Sequence, residues 1–188
     1  MVGNISNYTS FDILRTFLAI EENTSRTSLV EKLDLGEGTV RTLLDMLKDK
    51  KLIKSTQLGH SYSDKGASII EKINKTIQSK KLESKNIYKD YKKVALLLKN
   101  KKDIDVNYKL RDIAVKNGAE GALIFIYKNK LILPGLEEFK FEELDNLFEY
   151  EKNDLLIITF SPSYRWSENA ALAVAIEVDE ELSKLVKF

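Results

Sequence analysis

The sequence predicts an α+β protein of two domains, the first largely helical and the second built on a sheet. Three observations predict it. Between residues 24 and 48 the apolar residues recur at three- and four-residue steps, whereas beyond residue 93 they come in continuous runs separated by short amphipathic stretches. Between them lies a lysine-rich segment, Lys80, Lys81, Lys85, Lys89, Lys92 and Lys93, whose first half has no apolar period. The junction is expected at residues 82–85, giving domains of residues 1–81 and 82–188. With 188 residues and 43% hydrophobic content, the chain can bury two small cores.

Ser10 is the expected N-cap of a first helix over residues 11–22, with Phe11, Leu14, Phe17 and Leu18 on one face. Thr24 or Ser25 caps a second helix, Arg26-Thr-Ser-Leu-Val-Glu-Lys-Leu-Asp34. The turn Leu35-Gly36-Glu37-Gly38 supplies permissive backbone for a sharp reversal. A third helix begins at Thr39, and its Val40, Leu43, Leu44 and Leu47 face the core. That leaves Glu37, Thr39, Arg41, Thr42, Asp45 and Lys48 on or near the outward side. Leu52-Ile53-Lys54 reads as a strand, residues 55–60 as a loop tip containing Gly59, and Ser61-Tyr62-Ser63 as the returning strand. Two amphipathic segments, a glycine turn and a hairpin, in that order, spell a winged helix-turn-helix. A helix over residues 64–81 follows, striped by Ala67, Ile70, Ile73 and Ile77; the stripe is a candidate dimer contact, with packing against the chain's own first helix as the equal alternative.

In the second domain, residues 94–98 read as a buried strand, 108–117 as a helix, 121–127 as a strand and 131–134 as its hairpin partner across Asn129-Lys130. Residues 141–150 read as another helix, 154–160 as a core strand, and a last helix starts at about Ser167. The expected fold is a small α/β, sandwich-like domain for ligand sensing or dimerisation, with helices on at least one face of its sheet.

The run Gly38-Thr39-Val40-Arg41-x-x-Leu44-x-x-Leu47, then Leu52-Ile53, then Tyr62-Ser63-Asp64-Lys65-Gly66, resembles winged-helix transcriptional regulators of the MarR-like kind. The resemblance implies DNA binding, with the third helix in the major groove and the hairpin at an adjacent groove or the backbone. The order of modules is similar to an archaeal-type family of transcriptional regulators. Arg111-Asp112-x-Ala114-x-x-x-Gly118-Ala119-x-Gly121-Ala122 and Glu168-Asn-Ala-Ala-Leu-Ala173 form the less specific part of that match, which carries over no ligand and no catalytic residue.

On this reading Thr39, Arg41, Thr42 and Asp45 meet base edges of double-stranded DNA, while Arg26, Thr27, Ser28, Lys48, Gln57 and His60 position the protein on phosphates. For the second domain the candidate ligand residues are Tyr164, Arg165, Trp166 and Ser167, between a strand and a helix, joined by Arg111. Ser167 would cap the helix, Arg165 would offer a fork to an anion, and the two aromatics would stack on a planar group. Core closure by Trp166 and an Arg165–Glu168 pair form the structural alternative.

Composition narrows the classes. Formal net charge is +1; residues 1–81 hold 13 Lys/Arg against 10 Asp/Glu and the rest 17 against 19, an asymmetry that permits nucleic acid without demanding it. Without cysteine and with a single histidine, the chain offers neither a thiolate metal site nor a cysteine–histidine nucleophile. The glycines Gly118 and Gly121 follow a helix instead of preceding one, and no phosphate-loop motif occurs. Carboxylates such as Glu142, Glu143 and Asp145 are scattered, so no enzyme, cofactor or metal is expected. The first residues lack a basic start and an apolar core, and no run reaches spanning length, so a cytoplasmic protein without a membrane partner is expected. The expected function is a homodimeric, sequence-specific DNA-binding regulator responsive to a small anionic effector; the alternative is a winged-helix protein-interaction module of the transcription machinery.

Overall fold

Thr9, one residue earlier than expected, caps α1 (Ser10–Leu18) in the computed structural model, which describes residues 7–101, 104–138 and 141–187. Its hydroxyl accepts from the Asp12 N–H, and the Asp12 carboxylate accepts from the Thr9 N–H at 2.8 Å. The protein is α+β, with an N-terminal helical region and a C-terminal sheet. It divides into a first unit, the chain up to Lys72 together with residues 186–188, and a second unit, Ile73–Leu185. No described helix is long and apolar enough to cross a membrane.

In the first unit α1 stops at Leu18 instead of residue 22. Asn23 turns in the left-handed region at φ 56°, and the Thr24 hydroxyl takes the Glu21 N–H at 2.7 Å, so local side-chain bonds outcompete another helical turn. α2 (Arg26–Leu33) is capped by Ser25, which accepts from the Ser28 N–H at 3.1 Å. The left-handed residue that ends α2 is Asp34, φ 56° and ψ 50°, and not a glycine. α3 (Glu37–Asp49) then starts two residues before Thr39, with Gly36 at its N-cap. Its Val40, Leu43, Leu44 and Leu47 are at most 2% exposed and pack with Leu14, Phe17, Leu29 and Leu33. Burial of this stripe is the main favourable term in the unit.

A hairpin follows, β1 (Ile53–Thr56) against β2 (Gly59–Tyr62), longer than expected and closed by a tip of only Gln57 and Leu58. Gly59, at φ 137°, runs so close to the preceding loop that a Cβ there would lie 2.6 Å from the Asn23 carbonyl oxygen. Thr24 and His60 exchange two backbone hydrogen bonds of 2.9 Å, which tie that loop to the hairpin.

α4 (Asp64–Thr76) ends before the expected residue 81. The chain passes directly into β3 (Ile77–Leu82), whose backbone pairs antiparallel with β4 (Lys92–Leu98) from Ile77↔Leu98 to Leu82↔Lys93. β-branched Ile77 suits the extended chain, and it is buried in a strand where the periodicity puts it on a helix. Residues 77–82, placed by the sequence before a linker, therefore belong to the sheet of the second unit, and the division lies nine residues earlier than expected.

The sheet is completed by β5 (Gly121–Tyr127), β6 (Leu131–Ile132) and β7 (Leu155–Ser161), in the order β3-β4-β7-β5-β6 with every neighbour antiparallel. α5 (Tyr108–Lys116) packs on β5, and α6 (Tyr164–Val178) packs on β4, β7 and α5; α7 (Glu180–Leu185) follows α6. The alanine-rich α6, with Ala170, Ala171, Ala173 and Ala175 buried, lies close to the sheet. A second apolar cluster contains Leu97, Phe125, Leu156 and Ile158 from the strands with Leu144 and Phe148 from a connecting segment. The expected helix over residues 141–150 is there a single 3-10 turn, Glu142–Leu144. The Tyr150 hydroxyl donates to the Leu144 carbonyl at 2.7 Å and folds the segment back, which serves burial of Leu144 and Phe148 better than a helix would.

Candidate nucleic-acid interface

Because the α3 stripe is buried, the opposite side of α3 must face outward. Arg41, Thr42, Asp45 and Lys48 are exposed there, and Thr39 is half-buried. Arg26, Thr27 and Ser28 are exposed in the first turn of α2, Gln57 at the hairpin tip, and His60 is half-buried on β2. His60 thus stands on a strand where a loop tip was expected. Its Nδ1 lies 2.7 Å from the Ser55 hydroxyl, across the hairpin.

These groups sense one another. Arg26 Nη2 lies 3.0 Å from Glu37 Oε1, linking the starts of α2 and α3. Lys48 pairs with Asp45, and this hydrogen bond holds the Asp45 carboxyl below its ordinary range, with smaller help from Arg41 and His60. Partial burial pulls the His60 imidazole below its ordinary value, the Lys48 and Arg26 charges push in the same direction, and Asp45 opposes them. Arg26, Arg41, Asp45, Lys48 and His60 therefore form one electrostatic neighbourhood drawn from α2, α3 and β2. Within it the Thr42 hydroxyl already donates to the Gly38 carbonyl at 3.1 Å, so only its acceptor side and methyl face outward chemistry.

Two features were missed by the sequence reading. Asp12 and Arg15, 0% and 1% exposed, form a buried pair at 3.0 Å, and Arg15 Nη2 donates to the Leu33 carbonyl at the end of α2, also at 3.0 Å. Arg15 thereby satisfies a carbonyl at the helix-to-helix turn that sets the direction of α3. The only signal was the three-residue spacing of Asp12 and Arg15, which lie on the same side of α1 as its apolar residues. Lys54 is also exposed, on β1, where it pairs with Ser61. The first unit further holds a polar depression of about 280 Å³ lined by Glu21, Glu22, Asn23, Thr24, Ser25, Ser28 and Lys32.

The second candidate set does not converge. Ser167 is fully buried and is not a cap; its hydroxyl donates to the Lys92 carbonyl at 2.8 Å, and its carbonyl accepts from the Thr159 hydroxyl at 2.6 Å. The cap is Ser163, which accepts from the Trp166 N–H. Tyr164 points to Lys81 and Lys92, whose ammonium groups lie 4.5 and 5.5 Å from its ring. Its hydroxyl donates to Glu83, which with desolvation pushes the phenol up to about 12. Trp166 instead lies over Gly118 with the Arg165 guanidinium 4.9 Å from its ring, and Arg111 stands exposed on α5. The rule that put a ligand at this strand end holds for parallel sheets with helical crossovers, and this sheet is antiparallel throughout.

Two family models match the chain. Residues 9–68 match the PH0730-like, N-terminal domain, and residues 89–178 match a domain of unknown function, DUF4443. The fold is similar to that of the hypothetical protein PH0730 from Pyrococcus horikoshii OT3, with a TM-score of 0.79 and 29% identity over 95% of this chain and 97% of that one. No curated protein matches the chain. The matches meet the two units separately, and the structural likeness spans both.

Proposed function

We propose that the first unit is a winged helix-turn-helix and that the chain is a sequence-specific, DNA-binding transcriptional regulator. The observation that carries this reading is the gathering of Arg26, Arg41, Lys48 and His60 on the exposed side of α2, α3 and β2. On this reading α3 enters the major groove and presents Arg41 from its N-terminal half to a guanine edge, where a guanidinium makes two parallel hydrogen bonds. The Thr42 methyl packs on a thymine methyl. Arg26, Thr27, Ser28, Lys48 and the hairpin residues Lys54, Gln57 and His60 hold phosphates.

Glu37 and Asp45 have a definite part in this scheme. Each neutralises a cation in the free protein, Arg26 at 3.0 Å and Lys48 closer still, so a phosphate must displace a carboxylate to bind. The exchange lowers nonspecific affinity and leaves more of the discrimination to Arg41. The same two carboxylates favour a second reading, in which this face docks on a protein of the transcription machinery.

Binding of random duplex DNA across a salt series separates the two. A regulator loses affinity linearly on a log–log plot as phosphate contacts release counterions, whereas a protein-docking face shows no binding at low salt. Arg41→Ala then tests the facing of α3: it should cost about 1–3 kcal/mol on the selected site and little on random DNA.

A further inference from the structure

We propose that the chain self-associates through the outer face of α5, two copies pairing antiparallel about a two-fold axis between Arg111 and Asp112. Among the described residues, six large hydrophobic side chains stand exposed, and three of them, Tyr108 at 71%, Val115 at 46% and Trp166 at 38%, lie on α5 or the first turn of α6. Leu110 and Ala114 bury the inner face of α5. The outer face then carries Tyr108, Arg111, Asp112 and Val115, at steps of three, one and three residues, which form a single stripe.

Read in reverse, this stripe complements itself. With the two helices antiparallel and centred between residues 111 and 112, Arg111 faces the partner's Asp112, and Val115 faces the partner's Tyr108. A two-fold axis makes each contact twice. Trp166 extends the apolar end: its ring lies over Gly118, three residues beyond Val115, where a Cβ would come within 2.7 Å of it. The ring forms a ledge against which the partner's Tyr108 packs. Neither Arg111 nor Asp112 has a side-chain hydrogen bond or ion pair among the described residues, so both are free to pair across the axis. The stripe on α4 does not compete, since Ile70 and Ile73 are buried within one chain at 9% and 0% exposure.

The inference supplies the dimer that the regulator reading calls for, and it is measured without DNA, so its failure and the failure of DNA binding are separate results. A contact made by a helix of nine residues is small, and association in the micromolar range follows. Sedimentation equilibrium of the full chain from about 1 to 300 µM should show a monomer–dimer equilibrium, with Trp166 emission shifting on dilution. Arg111→Asp and Asp112→Arg each set like charges face to face and should weaken association about tenfold or more. The double variant Arg111→Asp/Asp112→Arg restores opposite charges and should recover the wild-type constant. Both positions are exposed, so unchanged melting temperatures check that the variants fold. A wild-type monomer throughout the range, single variants that associate as tightly as wild type, or a double variant no better than the singles would each overturn the proposal.

Discussion

Replacing Asp12 by alanine leaves the Arg15 guanidinium buried without its carboxylate, and the structure sets the scale of the damage. Asp12 and Arg15 are 0% and 1% exposed and 3.0 Å apart. Removing one partner of such a buried pair costs about 3–5 kcal/mol. The Asp12 carboxylate also accepts from the Thr9 N–H at 2.8 Å and the Thr9 hydroxyl at 3.0 Å, so the α1 cap weakens too, a loss of about 1 kcal/mol. Arg15→Met should cost a similar amount, since the buried carboxylate loses the guanidinium and the Leu33 carbonyl loses its donor at 3.0 Å. The double variant Asp12→Ala/Arg15→Met removes both charges of this pair. It should be at least about 2 kcal/mol more stable than the sum of the single losses requires. Urea unfolding followed by far-UV ellipticity measures all four proteins. Additive losses, or single variants within about 1 kcal/mol of wild type, would refute the claim that this pair is buried, coupled and responsible for the α2–α3 turn.

Further outcomes follow from the same geometry. Gly59→Ala forces a Cβ to 2.6 Å from the Asn23 carbonyl oxygen at φ 137°, and should cost about 1–3 kcal/mol or more. Amide exchange at Thr24 and His60 should accelerate, and unchanged protection would contradict the tie between loop and hairpin. Ser167→Ala removes the hydroxyl that donates to the Lys92 carbonyl in a fully buried site and should lower stability by about 1–3 kcal/mol, read from the unfolding midpoint; an unshifted midpoint would show the bond to be dispensable. For His60 the folded protein binds its proton less readily than the unfolded chain does, so its contribution to stability is present above the ordinary histidine value and is lost as pH falls toward its lowered value. On the DNA-binding reading, a phosphate beside it would oppose that shift by favouring the charged imidazolium. DNA affinity should therefore rise between about pH 7.5 and 5.5, and His60→Ala should flatten that rise; equal slopes would remove His60 from the phosphate contacts.

The parts of the fold visible in the sequence are those whose local pattern and tertiary role agree. Val40, Leu43, Leu44 and Leu47 lie at helical steps and are all buried, and β4 and β7 are apolar runs with two covered faces, with β5 an apolar run covered in part. The sequence misled where tertiary pairing overrode the local pattern. Ile77 continues the helical period of Ile70 and Ile73, yet the free edge of β4 captures residues 77–82 as a strand, a non-local interaction that a period cannot register. Residues 141–150 alternate apolar and acidic residues as an amphipathic helix does, but Leu144 and Phe148 serve one cluster best without it. Strand direction was equally hidden, since buried antiparallel and parallel strands share composition.

Legibility at the candidate sites divides in the same way. The outward groups of α3 follow from its buried stripe, so Arg41, Thr42, Asp45 and Lys48 could be placed by counting. Ser167, four positions past the true cap at Ser163, could not; its hydroxyl reaches β4, 75 residues away in sequence. Asp12 and Arg15 escaped for a related reason: charged residues are expected in water, and their burial follows only from the position of the Leu33 carbonyl.

The central claim is sequence-specific DNA binding by the face around Arg41. The most direct measurement is selection of bound duplexes from fragmented genomic DNA at low salt, wild type beside Arg41→Ala. Enrichment of a common site by the wild type, lost in the variant while weak binding to random DNA persists, is the predicted result. No enrichment by the wild type, or the same sites enriched by both proteins, would contradict it.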